Sequence, residues 1–355
     1  MEFLTDYGLF VAKTVTALIA IGVVISLVMN ASEKMRQTSE KGQLEIVKLN
    51  QQHEDISEAM NLAMLDESAQ KAAAKKIRKE KKQQAKTKKK SLDTAEAESS
   101  DNPQRLFVIK FDGNISASEV TNLREEITAI LTQASAEDEV VVKLESAGGM
   151  VHAYGLASSQ LDRLRQRDIR LTVCVDKVAA SGGYMMACVA DKILAAPFAV
   201  VGSIGVVAQM PNFNKLLKKH DVDYEVLTAG EHKRTLTLFG ENTDKGRQKF
   251  VEDLEETHSL FKDYVAERRP QMDIAKIATG DVWYGAKALE LALVDELKTS
   301  DEYLMQRVED ADVFEVSYKI KPKLHQRLGM AAEQSADRLL LKWWNRFTNN
   351  ANRHF

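Results

Sequence analysis

A chain of 355 residues, 44% hydrophobic and 28% charged, with 17 Gly and 5 Pro, is too apolar to be disordered throughout and has no collagen-like composition. Its 49 basic and 52 acidic residues leave a formal charge of -3, which offers no electrostatic footprint for a nucleic-acid partner. Two cysteines, Cys174 and Cys188, are too few for a disulfide framework or a zinc site.

Local bias is stronger than these averages. Residues 8–29 read GLFVAKTVTALIAIGVVISLVM, with Lys13 the sole charge. As a helix this run spans roughly 33 Å, enough for a bilayer core. Lys13 lies near one end, where its ammonium can snorkel to the headgroups. A cleaved signal peptide fits less well, because only Glu2 and Asp6 precede the run as charges. Residues 1–30 are therefore expected to be an N-terminal transmembrane anchor.

Residues 31–103 read as a charged, Lys-rich tether. Between Lys71 and Lys90 eleven Lys or Arg stand against one acid, Glu80. Such blocks repel themselves and stay solvated or form isolated helix. The run serves as a spacer or as a contact for anionic lipid headgroups. No aromatic residues interleave with it, so nucleic acid is not expected.

From residue 104 the pattern is globular. RLFVIKF (105–111) predicts a strand, and VTNLREEITAIL (120–131) puts Val120, Leu123, Ile127, Ile130 and Leu131 on one helical face. VVVKL (140–144) reads as a strand buried on both faces. A helix is expected from about Val151 to Arg167, then the strand RLTVCV (170–175). Alternation at these spacings implies right-handed βαβ units and a parallel sheet, an α/β class. There follow a short helix from Gly182, strands at KILAA (192–196) and VDYEVLTA (222–229), and a long charged helix from Asn242 to Arg268. Residues 301–355 form a C-terminal extension. Within it ADRLLLKWWNRF (336–347) mixes apolar and basic residues at helical spacing, suiting a membrane interface or a docked terminal helix.

Two glycine-rich turns each end a predicted strand: ESAGGM (145–150) and AASGGY (179–184). Ligands in open α/β sheets bind at the carboxyl ends of strands, and each turn opens a helix whose free N–H groups favour negative charge. One such turn is ordinary strand-to-helix packing. Two on consecutive units can present two N–H donors to one oxyanion. Ser181 heads the second helix with glycines after it, as an N-cap or as an exposed nucleophile. Of seven histidines (His53, His152, His220, His232, His258, His325, His354) none stands in a triad context. Lys233, in TAGEHKR (228–234), is a surface lysine or, if burial depresses its pKa, a base. Ser203, in VGSIGV (201–206), is a turn hydroxyl or a group orienting that lysine. Metal chemistry has no support: there is no HExxH and no clustered carboxylate set.

Taken together, ESAGG, AASGGY, VGSIGV, AGEHKR and ATGDVWYGAKALELALVDEL (278–297) resemble, in order and spacing, the signal peptide peptidase (peptidase S49) family of serine proteases. The resemblance covers about residues 104–300 and the anchor-and-tether layout before them. It implies a ClpP/crotonase-like fold, with Ser181 as nucleophile and Lys233 as general base and acid. It also implies oxyanion donors at the N–H groups of Gly149 and Gly182, Ser203 positioning the lysine, and no cofactor. Departures from the family pattern are Ala147 for proline, His232 for an aromatic residue, and Ala292 for glycine. The function implied is a membrane-anchored serine endopeptidase acting on signal-peptide remnants or unfolded envelope proteins. Half-length family members complete the serine and lysine sites between neighbouring protomers, so a homo-oligomeric ring is expected.

The expected location is the inner membrane. The resemblance puts the catalytic domain in the periplasm. The positive-inside rule favours the cytoplasm, because Lys34, Arg36 and Lys41 follow the anchor. Two rival readings stand beside the peptidase. One is an acyl-CoA hydratase or isomerase using the two N–H donors on a thioester oxyanion. The other is a non-catalytic, membrane-anchored assembly scaffold. Cys174 and Cys188 are expected to be reduced core residues.

Overall fold

The computed structural model describes residues 42–79, apart from 67 and 78, and residues 104–320. The expected anchor (1–30), most of the Lys-rich run and the segment 336–347 lie outside the described residues. Among the described residues no helix is long and apolar enough to cross a membrane. The main body spans Glu45–Ser317.

The elements run β1 (Gln43–Lys48), α1 (Leu49–Ala63), β2 (Arg105–Gly113), α2 (Val120–Leu131), β3 (Glu139–Ser146), α3 (Val151–Arg165), β4 (Arg170–Val175) and β5 (Val178–Ala180). Then come α4 (Gly182–Ala187), β6 (Lys192–Ala195), β7 (Val200–Gly202), α5 (Asn214–Lys219), α6 (Asp244–Arg268) and α7 (Ile274–Ile277). The last are β8 (Val282–Tyr284), α8 (Gly285–Glu290), β9 (Glu296–Leu297), α9 (Ser300–Asp310) and β10 (Asp312–Lys319). The strands form one mixed sheet, predominantly parallel, in the order β1-β10-β2-β3-β4-β6-β9. A side branch, β5-β7-β8, leaves it at β3. β8 runs antiparallel to β7, whereas β2, β3, β4 and β6 pair in parallel with their neighbours.

Strand alternation explains the two layers. Phe107, Ile109 and Phe111 of β2 join Val140, Val142 and Leu144 of β3 on one face, against α2 and α3. Val120, Leu123, Ile127 and Ile130 are buried as the helical period predicted. Leu106, Val108, Val141 and Cys174 point to the other face, where Leu304 of α9 covers them. Each side chain buried this fully stabilises by about 1.5–3 kcal/mol relative to exposure. Both cysteines are free and buried, and burial pushes each thiol up to about 12.

One sequence expectation is corrected. VDYEVLTA (222–229) is not a strand: it is irregular and exposed, with no described strand beside it. A β-prone segment needs a partner ladder for its backbone groups, and propensity alone does not supply one. Residues early in the segment read as a tether pack on the body. The Asn50 side chain donates to the carbonyls of Val308 (3.0 Å) and Ala311 (2.8 Å), and accepts from Val313 N–H (2.8 Å). The C-terminal extension opens with α9 and β10, and β10 pairs in parallel with β2.

Candidate active site

The branch point of the sheet gathers the predicted turns. After β4 the chain leaves the ladder at Asp176 and Lys177 and returns as β5, whose Ala179 registers with Ser146 at the end of β3. Ala180 registers in turn with Gly202 at the end of β7. Three adjacent parallel strands therefore finish side by side in ESAGG, AASGGY and VGSIGV. That common carboxyl end is where open α/β sheets bind ligands.

Ser181 sits at the junction of β5 and α4 with φ 52 and ψ -119, outside helical and extended geometry. A non-glycine residue held there costs about 1–3 kcal/mol, and the surroundings must enforce it. They do so at the backbone. Ser181 N–H donates to Gly202 O (2.8 Å), and its carbonyl accepts from Met185 N–H (2.9 Å). Its side chain makes no capping bond to α4, so the N-cap reading of this serine is not borne out. Ser181 is half-buried, and the helix behind it is wholly buried.

The first turn folds against the second. Gly148 has φ +91, and a Cβ there would lie 2.7 Å from Gly182 N and 2.8 Å from Ser181 Cβ. Gly148 N–H donates to Ser146 Oγ (3.0 Å) and Met150 N–H to Ile115 O (2.8 Å). The N–H groups of Gly149 and Gly182 donate to no backbone acceptor of this kind among the described residues. A Cβ on Gly149 would run into the Ile115 carbonyl, and one on Gly182 into the Tyr154 ring. Both positions thus exclude every larger residue.

Ser203 is half-buried with φ 52, one residue past Gly202. Its N–H donates to Asp281 O (2.6 Å), which joins this turn to the segment entering β8. Lys233 is not brought to Ser181. It lies in the irregular arm between β7 and α6, exposed, with no hydrogen-bond or ion-pair partner for its ammonium among the described residues. The burial that a lysine base requires is absent around it in one chain. His152, His220 and His232 are exposed, as surface histidines; His258 is half-buried with Nε2 3.2 Å from Ile204 O. His325 and His354 lie outside the described residues. Among the described residues there is no group of three His, Cys, Asp or Glu side chains able to hold a metal.

Tyr154 stands in no recognisable motif of the sequence, and Ser146 lies unremarked within ESAGGM. Tyr154, fully buried on α3, places its hydroxyl 2.6 Å from Ser146 Oγ and 2.8 Å from Asn114 O. A tyrosine at a helix position otherwise apolar was the available signal.

Fold and turns place the chain among α/β proteins that carry their chemistry at the ends of parallel strands. Comparison with known proteins narrows this. The peptidase family S49 N-terminal model matches residues 2–161 and the peptidase family S49 model matches residues 163–313. The probable protease SohB of Haemophilus influenzae is 49% identical over 354 residues, covering 100% of this chain and 99% of that protein. The probable protease SohB of Buchnera aphidicola subsp. Schlechtendalia chinensis is 48% identical, covering 86% of this chain and all of that protein. Among solved structures, the 1510-N membrane-bound stomatin-specific protease with a substrate peptide is a distant likeness. It is 13% identical with a TM-score of 0.38, over 64% of this chain and 96% of that one. The chain belongs to peptidase family S49, and it is a protease.

Proposed function

We propose that this protease is a membrane-anchored serine endopeptidase with a ClpP/crotonase-like fold and a Ser181–Lys233 dyad. Ser181 Oγ attacks the scissile carbonyl while neutral Lys233 takes its proton. The developing oxyanion rests on the N–H groups of Gly149 and Gly182, and Lys233 then protonates the leaving amine. Water hydrolyses the acyl-enzyme by the same route. Ser203 orients the lysine ammonium. The observation that carries this reading is the meeting of the two glycine turns at Ser181, with two unspent N–H groups beside a serine held at φ 52.

Assembly supplies what one chain lacks. Lys233 needs a low-dielectric surrounding to lose its proton near neutral pH, and its arm is open. The same arm exposes Val207 (78%), Leu216 (52%) and Leu227 (90%), apolar surface of the kind a neighbouring protomer covers. A homo-oligomeric ring that shares the dyad between protomers satisfies both requirements. The substrates of this reading are signal-peptide remnants or unfolded envelope proteins. The protein sits in the inner membrane through residues 1–30, with its catalytic domain in the periplasm. A reporter fused after residue 100 reads the side directly.

The test compares wild type, Ser181→Ala and Lys233→Ala as purified oligomers on an unfolded protein substrate. Cleavage by wild type and by neither variant, with assembly intact, supports the dyad; equal cleavage by all three sinks it. Mixed Ser181→Ala and Lys233→Ala chains recover part of the activity if the dyad is shared. Absence of cleavage by every form favours the scaffold reading.

A further inference from the structure

We propose that Tyr154 is a positioning residue that sets the oxyanion turn against the nucleophile turn; the proposal rests on the Ser181 reading above and deepens it. A tyrosine hydroxyl with no exposure to water must be hydrogen-bonded to be tolerated. Proton accounting fixes how. The Asn114 carbonyl can only accept, so the single phenolic proton goes to it, across 2.8 Å. Ser146 Oγ, 2.6 Å away, then donates to the phenolic oxygen in preference to its longer alternative, the Gly113 carbonyl at 3.4 Å. Ser146 Oγ accepts in turn from Gly148 N–H at 3.0 Å. The result is one directed chain: Gly148 N–H to Ser146, Ser146 to Tyr154, Tyr154 to Asn114. Burial raises the Tyr154 pKa above its ordinary value, so the chain keeps its proton at any working pH.

The far end of this chain is itself fixed. Asn114 Oδ1 accepts from Ser118 N–H and Ser116 Oγ, and its amide donates to Ser118 Oγ (2.8 Å). The next carbonyl, that of Ile115, takes Met150 N–H. Of three consecutive donors, Gly148 is thus tied to Ser146 Oγ and Met150 to the Ile115 carbonyl of the loop that Tyr154 holds, while Gly149 N–H has no backbone acceptor among the described residues. On its other side the Tyr154 ring lies against Gly182, the second proposed donor. One side chain therefore touches both turns, and small displacements of such donors from the oxyanion position are costly to catalysis.

The experiment uses the full-length assembled enzyme with Tyr154→Phe, Ser146→Ala and the double variant, and Ser181→Ala as control. Tyr154→Phe keeps the ring and removes the proton donor. The expected result is a kcat lower by about 10-fold with KM within about twofold, and a peptide-aldehyde inhibitor weakened in proportion. The double variant should be no slower than the slower single variant, because both break one chain. Should Tyr154→Phe fail to fold, Ser146→Ala reads the same link alone. A kcat within twofold of wild type while Ser181→Ala is inactive overturns the positioning role and leaves the serine reading standing. So does a loss seen in KM alone, or one matched by the fraction of protein unfolded. Full activity in Ser181→Ala overturns both.

Discussion

At the scale of single residues, the site depends on side chains that are missing. Gly182 lies against the Tyr154 ring, which cannot slide because its hydroxyl is held. Gly182→Ala should destabilise by about 1–3 kcal/mol through overpacking and abolish cleavage, read by urea unfolding and peptide hydrolysis. Ala292 is the converse case. It stands at φ 59, a left-handed position where the family pattern has glycine, and its carbonyl accepts from Arg269 Nη2 at 2.9 Å. Ala292→Gly should relieve this strain and stabilise by about 0.5–1 kcal/mol in the same urea assay, with activity unchanged. A loss of stability there would mean that the surroundings already accommodate the methyl group.

At the scale of elements, a few buried polar clamps join segments distant in sequence. Arg269, just past α6 and 2% exposed, makes a two-pronged pair with Asp295 (2.8 and 2.9 Å), whose carboxylate also accepts from Ile193 N–H. Arg269→Ala leaves Asp295 short of its cation and should cost about 3–5 kcal/mol by thermal unfolding. A second clamp carries a pH signature. Burial alone would raise the Asp138 carboxyl, but the Arg105 guanidinium at 2.7 Å and the Ser135 donors outweigh it and hold the pKa below its usual value. A carboxyl depressed on folding stabilises at pH above its unfolded value of about 3.9, and the contribution is lost as pH falls through the folded value. Acid unfolding profiles of wild type should therefore steepen below about pH 4, and Asp138→Asn should remove that part of the profile.

At the scale of the whole molecule, the described chain holds a well-packed core, a fixed serine turn and an exposed lysine arm. The core buries both faces of its central strands. The serine turn is locked by neighbours on two strands, whereas the lysine arm is open and apolar. Under the shared-dyad proposal, activity should depend on assembly. Dilution below the association threshold should remove cleavage without unfolding the chain, checked by sedimentation velocity and circular dichroism at matched concentrations. Cleavage that persists in a dispersed single chain would show that the arm closes on its own serine.

Much of this was legible in the residues, and the division has a physical reason. Periodicity located β2, α2, β3, α3 and β4 because each buries a face whose spacing, 2 or 3.6 residues, is written locally. The glycine turns were legible because only glycine fits where backbone approaches backbone, as at Gly148 and Gly182. Ser181 was conspicuous as the residue between such a strand and its glycines. What local pattern does not encode is partnership. VDYEVLTA has the composition of a strand, but strand formation awaited a neighbour that the described chain does not provide. β5, β7 and β8, three residues each, were too short to carry a period and exist because β3 offers a partner to β5, β5 to β7 and β7 to β8. Tyr154 likewise showed a helix face in the sequence, but its hydroxyl acquired a task only when the loop at Asn114 and the turn at Ser146 were folded around it. Local residue patterns set the order of buried elements and the turns that end them; long-range folding chose which groups meet there, because hydrogen bonds between distant segments depend on positions that no local spacing specifies.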